Sequence, residues 1–117
     1  MDGHGFEALV DRALEHLPDW VLDVLDNVVV VVEGHPTRQQ DPDGEGLLGI
    51  YEGIPLEERG FDYTMALPDR IVIFRNPHLS LGLSVAELEQ EVRTTVLHEI
   101  AHHLGIDDDR LRELGWD

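Results

Sequence analysis

The sequence predicts a small α+β fold in which a short mixed sheet packs against a long helix. Helical periodicity occupies both ends of the chain, short β-branched segments lie between them, and the longest helix starts with a capping box. Helices and strands that fall in separate runs are typical of an α+β layer. At 117 residues we expect a single domain, residues 1–117, since domains commonly have about 100–150 residues.

Two helices are predicted near the start of the chain. Apolar residues recur at three- and four-residue steps between Phe6 and Leu17, which indicates an amphipathic helix that ends near Pro18. This proline followed by Asp19 favours the start of a second, shorter helix. The residues of the second helix that we expect to face inward are Trp20, Val21, Val24 and Leu25.

Three segments are predicted to form strands. Val28–Val32 is an unbroken β-branched run, which predicts a strand that is buried on both faces and central in the sheet. Ile71–Phe74 is the second clear strand, and Leu47–Tyr51 is a shorter candidate. Glu33–Gly46 is predicted to be a long loop, and loops of this length are usually functional or mobile. Glu52–Pro68 is mixed and contains turn signals.

The clearest helix start is the capping box formed by Ser84 and Glu87. Gly105 is well placed to end this long helix in a left-handed conformation. A last short helix then begins at Asp107 or Asp108. The apolar residues expected to pack are Val85, Leu88, Val92, Val96, Ile100 and Leu104 in the long helix, and Leu111 and Leu114 in the short one.

Composition and charge restrict the partners. The chain has no cysteine, which excludes disulfides, thiolate ligands and cysteine nucleophiles. Its formal net charge of -17 arises from 25 acidic and eight basic residues, so we expect it to bind neither nucleic acid nor a membrane surface. We find no N-terminal signal sequence and no apolar run long enough to cross a bilayer, which predicts a cytoplasmic protein that is monomeric by default.

One segment of the long helix carries residues suited to chemistry. His98 and His102 lie four residues apart, which stacks them on one helix face with Cβ atoms about 5–6 Å apart. Two imidazole nitrogens at this spacing can bind one zinc ion (Zn2+). Both histidines point away from the middle of the apolar stripe, toward a cleft, whereas His103 is rotated by about 100° and is expected to pack or to support the site.

A catalytic zinc site needs a third protein ligand and one open position. Gly105 turns the chain after the helix, and Asp108 is the preferred third ligand because the turn brings its carboxylate back toward the metal. The competing interpretation of Asp108 is that it caps the next helix. Asp107 is the fallback ligand, and Glu113 is the remaining carboxylate.

These residues predict zinc-dependent hydrolysis of peptide bonds in a peptide or protein substrate. Zinc lowers the pKa of a bound water molecule to about 7 and polarises the scissile carbonyl. Glu99, next to the first ligand, can take the proton of that water and pass it to the leaving amine. Tyr51 and Tyr63 are candidates for stabilising the oxyanion. The alternative is a catalytically weak or inactive zinc-binding module that uses the site structurally or to bind peptides.

The segment from His98 to Asp108 has the pattern H-E-x-x-H-x-x-G-x-x-D, which resembles the extended zinc signature of metzincin peptidases in its aspartate variant. Gly49–Leu56, Leu67–Arg75 and Val92–Glu99 are similar to the small bacterial zincin-like metallopeptidase family, also described as minimal metzincins or matrix-metalloprotease-like domains. The resemblance covers about residues 17–116. Some ribosomal-RNA-processing endoribonucleases share the ligand spacing with three histidines, but the net charge disfavours them.

The resemblance implies a zincin-like fold, in which a small twisted mixed sheet packs against the N-terminal helices and the long motif helix. Substrate in such folds lies along an edge strand, for which Leu47–Tyr51 is the candidate. No methionine follows Asp108 to form the turn that metzincins place beneath the metal, so we expect metal binding to be more robust than proteolysis. Carried over by position, the ligands and the general base are His98, His102, Asp108 and Glu99.

Overall fold

A computed structural model describes residues 3–25, 28–53 and 69–114. The predicted α+β class is confirmed, while most of the mixed segment before residue 69, including Gly60 and Pro68, lies outside the described residues. The described helices are α1 (Gly3–Glu15), α2 (Asp19–Leu25), α3 (Arg75–Leu79), α4 (Val85–His103) and α5 (Asp108–Leu114), and the strands are β1 (Val28–Glu33), β2 (Gly49–Glu52) and β3 (Asp69–Phe74).

The described strands form one mixed sheet in the order β1-β3-β2. β1 runs parallel to β3, and β2 runs antiparallel to β3. Within the described sheet the central strand is Ile71–Phe74, which lies between two neighbours and is buried along its length, and the prediction that Val28–Val32 is buried on both faces is wrong. β1 instead borders one described strand, and its Val29 is 44% exposed. An apolar run predicts a strand, but strand order depends on contacts between residues far apart in sequence.

The core lies between the sheet and the helices α1 and α4, which also pack on each other. The apolar stripe of α4 is buried only in its central turns, since Val85 and Leu104 at the two ends are 53% and 49% exposed, against the prediction that they pack. None of the helices in the described ranges is long and apolar enough to cross a membrane. The fully buried apolar residues include Phe6, Leu9, Ala13, Val21, Ile71, Ile73, Val92, Val96 and Ile100.

Both predicted ends of α4 are confirmed. The Ser84 hydroxyl accepts a hydrogen bond from the backbone N–H of Glu87, and the Glu87 carboxylate accepts one from the Ser84 N–H, each at 3.2 Å. At the other end Gly105 has a φ of 82°, and the N–H of Ile106 donates to the carbonyl oxygen of Ala101 at 2.8 Å. This is a Schellman motif, which satisfies the last carbonyl groups and reverses the direction of the chain.

Helix α3 was not predicted, because the pair Asn76-Pro77 favours an irregular exit from the sheet. Pro77 instead lies in the first turn of the helix, where its missing N–H costs no hydrogen bond. The helix has five residues, packs against α4 and carries His78, whose side chain is fully buried. The short helix therefore brings a polar side chain into the core beside α4.

β2 and α4 come into close contact at Gly49, which is buried. A methyl group at this position would lie 2.6 Å from Cγ2 of Thr95 on α4 and 3.0 Å from the carbonyl oxygen of Val72 on β3. Gly49 does not adopt a positive φ, so glycine is needed here for space. The contact holds β2 directly against the helix that carries the histidine motif.

We expect Gly49→Ala to lower the free energy of unfolding by about 1–3 kcal/mol, because the added methyl group overpacks a buried contact. Thr95→Ser removes Cγ2 and keeps the hydroxyl, so the double variant should regain part of that loss. Urea denaturation of the wild type, both single variants and the double variant measures the coupling. Strictly additive effects would show that Thr95 does not limit the space at Gly49.

Candidate functional site

A cleft of about 310 Å³ lies between one face of α4 and the chain that enters β2. Its apolar wall is formed by Leu47, Leu48 and Gly49. Its polar wall is a single helix face, because the α4 residues recur at three- and four-residue steps. The α4 residues that line the cleft are Glu91, Thr94, Thr95, His98, Glu99 and His102.

His98 and His102 line the cleft side by side. Their ring centroids are 6.0 Å apart, and the ring planes differ by 38°. His98 is half-buried, and its Nε2 atom is buried without a hydrogen-bond partner in the described part of the chain. A buried ring nitrogen without a hydrogen-bond partner lowers the stability of the fold unless a ligand binds to it. Imidazole nitrogen is a preferred zinc ligand, so this pair of side chains fits a zinc ion.

Two histidines do not complete a metal site. Across residues 3–25, 28–53 and 69–114, no three His, Asp or Glu side chains are grouped so that they could hold a metal ion. The predicted third ligand, Asp108, is the first residue of α5, and its side chain lies outside the described part of the structure. The role of Asp108 therefore stays a prediction.

Glu99 follows His98 along α4 and lines the same cleft. Burial raises the pKa of the Glu99 carboxyl group above its ordinary value, and the nearby His102 opposes this rise. A carboxylate with a raised pKa is a stronger base toward a proton near neutral pH. A cleft carboxyl group with a raised pKa is a candidate for proton transfer.

A buried histidine supports the polar wall from behind. His78 Nδ1 donates to the carbonyl oxygen of Phe74 at 2.8 Å, and His78 Nε2 lies 3.1 Å from Oγ1 of Thr95. Oγ1 of Thr95 also lies 3.0 Å from the carbonyl oxygen of Glu91, so the single hydroxyl proton is shared between these two acceptors. Burial lowers the pKa of His78 below its ordinary value, while the bond to Phe74 and the charge of Glu91 oppose this. His78 is not a predicted ligand, and its contacts tie α3 to a cleft residue.

A second contact joins β2 to the C-terminal end of α4. The rings of Tyr51 and His103 stack with centroids 4.0 Å apart and planes that differ by 15°. The Tyr51 hydroxyl donates to the carboxylate of Asp69 on β3 at 2.8 Å. His103 thus packs against the edge strand, while Tyr51 points its hydroxyl at β3 and does not line the cleft. Tyr63, the other candidate for oxyanion stabilisation, lies outside the described residues.

One carboxylate holds the loop that precedes β2. Asp41 accepts hydrogen bonds from the backbone N–H groups of Glu45 at 3.0 Å and of Gly46 and Leu47 at 3.1 Å. These bonds, the one from Glu45 most of all, lower the pKa of Asp41. Leu47 begins the apolar wall of the cleft, so Asp41 fixes where that wall starts.

The acidic residues around the start of α5 are engaged locally. Asp107 caps the helix, since its carboxylate accepts the N–H of Arg110 at 2.8 Å. Asp109 forms an ion pair with Arg112, and Glu113 forms one with Arg110 at 2.9 Å. The three described carboxylates between residues 107 and 113 therefore all have partners close in sequence.

The motif alone reveals only part of the cleft. Glu91, Thr94 and Thr95 share the helix face of His98, and helical spacing could have identified them. Leu48 could not be identified in this way, because its position depends on how β2 pairs with β3 and contacts α4.

Residues 25–116 match a family model described as zincin-like metallopeptidase. Among solved structures, the chain is similar to a conserved hypothetical protein from Thermus thermophilus, with 30% sequence identity and a TM-score of 0.59. That similarity covers 99% of this chain and 100% of the other. No curated protein matches the chain. The family match includes the whole of the histidine motif and the turn that follows it.

We expect His78 to make the protein less stable as the pH falls below about 6.5. Because the pKa of His78 is lower in the folded than in the unfolded chain, the unfolded chain takes up the proton first. Stability that is present above the unfolded pKa is therefore lost as the pH falls toward the folded pKa. His78→Gln should reduce the slope of the free energy of unfolding between about pH 7.5 and 5.5, measured by denaturant titration.

The free energy of unfolding of His78→Gln at pH 7.5 should be about 1–3 kcal/mol lower than that of the wild type, because the substitution breaks buried hydrogen bonds. His4→Gln changes an exposed histidine of α1 and should leave the slope unaltered. If the free energy of unfolding had the same pH slope in the wild type and in His78→Gln, the pKa of His78 would not be lowered in the folded protein.

Proposed function

Because the chain belongs to the zincin-like metallopeptidase family, we propose that it is a zinc-dependent peptidase. In this proposal the zinc ligands are His98, His102 and Asp108. Glu99 is the general base. The observation that carries the proposal is the polar face of α4, where two imidazole rings and a carboxyl group line one cleft. The buried Nε2 of His98, which has no partner in the described part of the chain, supports a ligand at this position.

The carboxylates around the start of α5 support Asp108 as the third ligand. Asp107 is the N-cap of α5, so the capping role is filled by the residue next to Asp108. Asp109 and Glu113 are paired with arginines of the same helix. The Schellman motif reverses the chain immediately before this point, so α5 begins close to the end of the motif helix. The other three carboxylates already have partners, which favours Asp108 as the third zinc ligand.

The zinc ion, Glu99 and the apolar wall have different roles in the proposed reaction. Zinc, when bound, supplies a Lewis acid that lowers the pKa of water and polarises a carbonyl group. Glu99 accepts the proton of the attacking water and returns it to the leaving amine, a role that its raised pKa favours. Leu47 and Leu48 line the opposite wall with apolar groups, which strengthens charge interactions inside the cleft.

The proposed substrate is an extended segment of a peptide or protein. β2 lies at an edge of the described sheet, and the residues leading into it form one wall of the cleft. An extended peptide can add to such an edge through backbone hydrogen bonds. Added there, it would pass between the apolar wall and the face that carries His98 and Glu99.

We expect Glu99→Gln to keep zinc and to lower peptide hydrolysis by at least about 100-fold, because glutamine has the same size but cannot take the proton. Elemental analysis gives the metal content, and a mixed peptide library gives the hydrolysis. The expected result is about one zinc per chain in both proteins, with cleavage by the wild type only.

Glu7→Gln, an exposed substitution on α1, is the matched control and should retain both zinc and activity. Undiminished turnover by Glu99→Gln would contradict the assignment of the base. Zinc in both proteins with no cleavage by either would favour a zinc-binding module that is not a peptidase. Absence of zinc from both would overturn the metal site.

Substitution of the two neighbouring aspartates tests the third ligand. Asp108→Ala should weaken zinc affinity by at least about 100-fold, because it removes a ligand. Asp107→Ala should leave the affinity within a few-fold and lower the free energy of unfolding by about 1 kcal/mol, because it removes a helix cap. Competition with a chromogenic chelator measures the affinities, and equal losses in the two variants would make the choice of Asp108 wrong.

A further inference from the structure

The charged groups that line the cleft are unevenly arranged. Glu91 lies two helical turns before His98 on the same face of α4, so the two are separated by about 10 Å along the helix axis. The described lining includes no arginine, and the chain has no lysine at all. One end of the cleft therefore carries a carboxylate, and the other carries the proposed metal ligands.

Glu91 differs from the neighbouring acidic residue on α4. Glu89 lies near three basic side chains, with Arg93 at 3.4 Å, His16 at 3.7 Å and Arg12 at 3.9 Å. The half-buried Glu91 carboxylate forms neither a hydrogen bond nor an ion pair with any described residue, and only its backbone carbonyl is used, by Thr95. A cleft carboxylate that has no ion-pair partner can form a charge-assisted hydrogen bond with an added cation.

The proposed metal determines where such a cation can bind. A zinc ion near His98 repels a positively charged substrate group, and this repulsion weakens with distance. About 10 Å corresponds to roughly three residues of an extended peptide at about 3.3 Å per residue. A cationic group three residues from the scissile bond would therefore reach Glu91 while staying away from the metal.

We propose that Glu91 makes the cleft selective for peptides that carry a cationic group about three residues from the bond to be cleaved. The cationic group is an arginine or lysine side chain, or a free amino terminus at the same distance. This inference rests on the proposed peptidase function, and it names a substrate class for that site. The net charge of -17 attracts cations to the protein as a whole. Glu91 provides a position for one cation inside the cleft.

Zinc-loaded Glu99→Gln protein binds peptides without cleaving them, so it separates recognition from hydrolysis. The probes are N-acetylated heptapeptides with one arginine, or a norleucine in its place, moved along an otherwise neutral sequence, plus one neutral peptide with a free amino terminus. We expect arginine at one position to tighten binding by about 3- to 10-fold, measured by fluorescence anisotropy. Tightening by the free amine instead would identify the amino terminus as the recognised group.

Adding Glu91→Gln should abolish the preference for a cation, whereas adding Glu7→Gln removes the same charge from α1 and should preserve it. The same preference should appear in kcat/KM for the wild type. Binding that is tightened neither by arginine nor by the free amine, a preference that survives Glu91→Gln, or no binding of any probe would each overturn the inference. A Glu91-dependent preference in binding, with no cleavage by the wild type, would overturn the peptidase function and keep Glu91 as the cation site.

Discussion

The contact between β2 and α4 at Gly49 is the constraint on which the cleft depends. The absence of a side chain at Gly49 allows the strand to approach Thr95, and Thr95 is fixed from behind by the buried His78. The apolar wall begins directly before Gly49, and Asp41 holds the loop that leads to it. Three contacts therefore hold the walls of the cleft: Gly49 against Thr95, His78 against Thr95, and Asp41 in the loop before β2.

Features that depend on neighbours in sequence could be predicted, and features that depend on distant contacts could not. The capping box at Ser84 and the left-handed Gly105 are encoded within a few residues, so the helix that carries the motif could be placed correctly. The same holds for the common face of His98 and His102. The position of β1 at the edge of the described sheet arises from strand pairing, and the burial of His78 arises from packing between helices. A linear pattern specifies neither of them.

The sequence leaves open which of the three aspartates at the start of α5 caps the helix, and the structure assigns this role to Asp107. Three consecutive aspartates satisfy both a cap and a ligand pattern, so the sequence leaves their roles interchangeable. The hydrogen bond from Arg110 to Asp107 assigns the cap, and the pairing of Asp109 with Arg112 gives the third carboxylate a partner. With the cap assigned to Asp107, the role of Asp108 as a zinc ligand stays a prediction.

The distribution of satisfied and unsatisfied polar groups points to the same face of α4. Asp41, Glu89 and His78 all have partners, although they lie in different parts of the fold. In the cleft, by contrast, the His98 ring nitrogen and the Glu91 carboxylate have no hydrogen-bond partner among the described residues, and burial raises the pKa of Glu99. A buried polar atom without a partner costs stability, and proteins retain such atoms mainly where a ligand or a reaction uses them. The unpartnered ring nitrogen of His98 shares one helix face with Glu91 and Glu99, and this is the physical reason to treat the cleft as the candidate functional site.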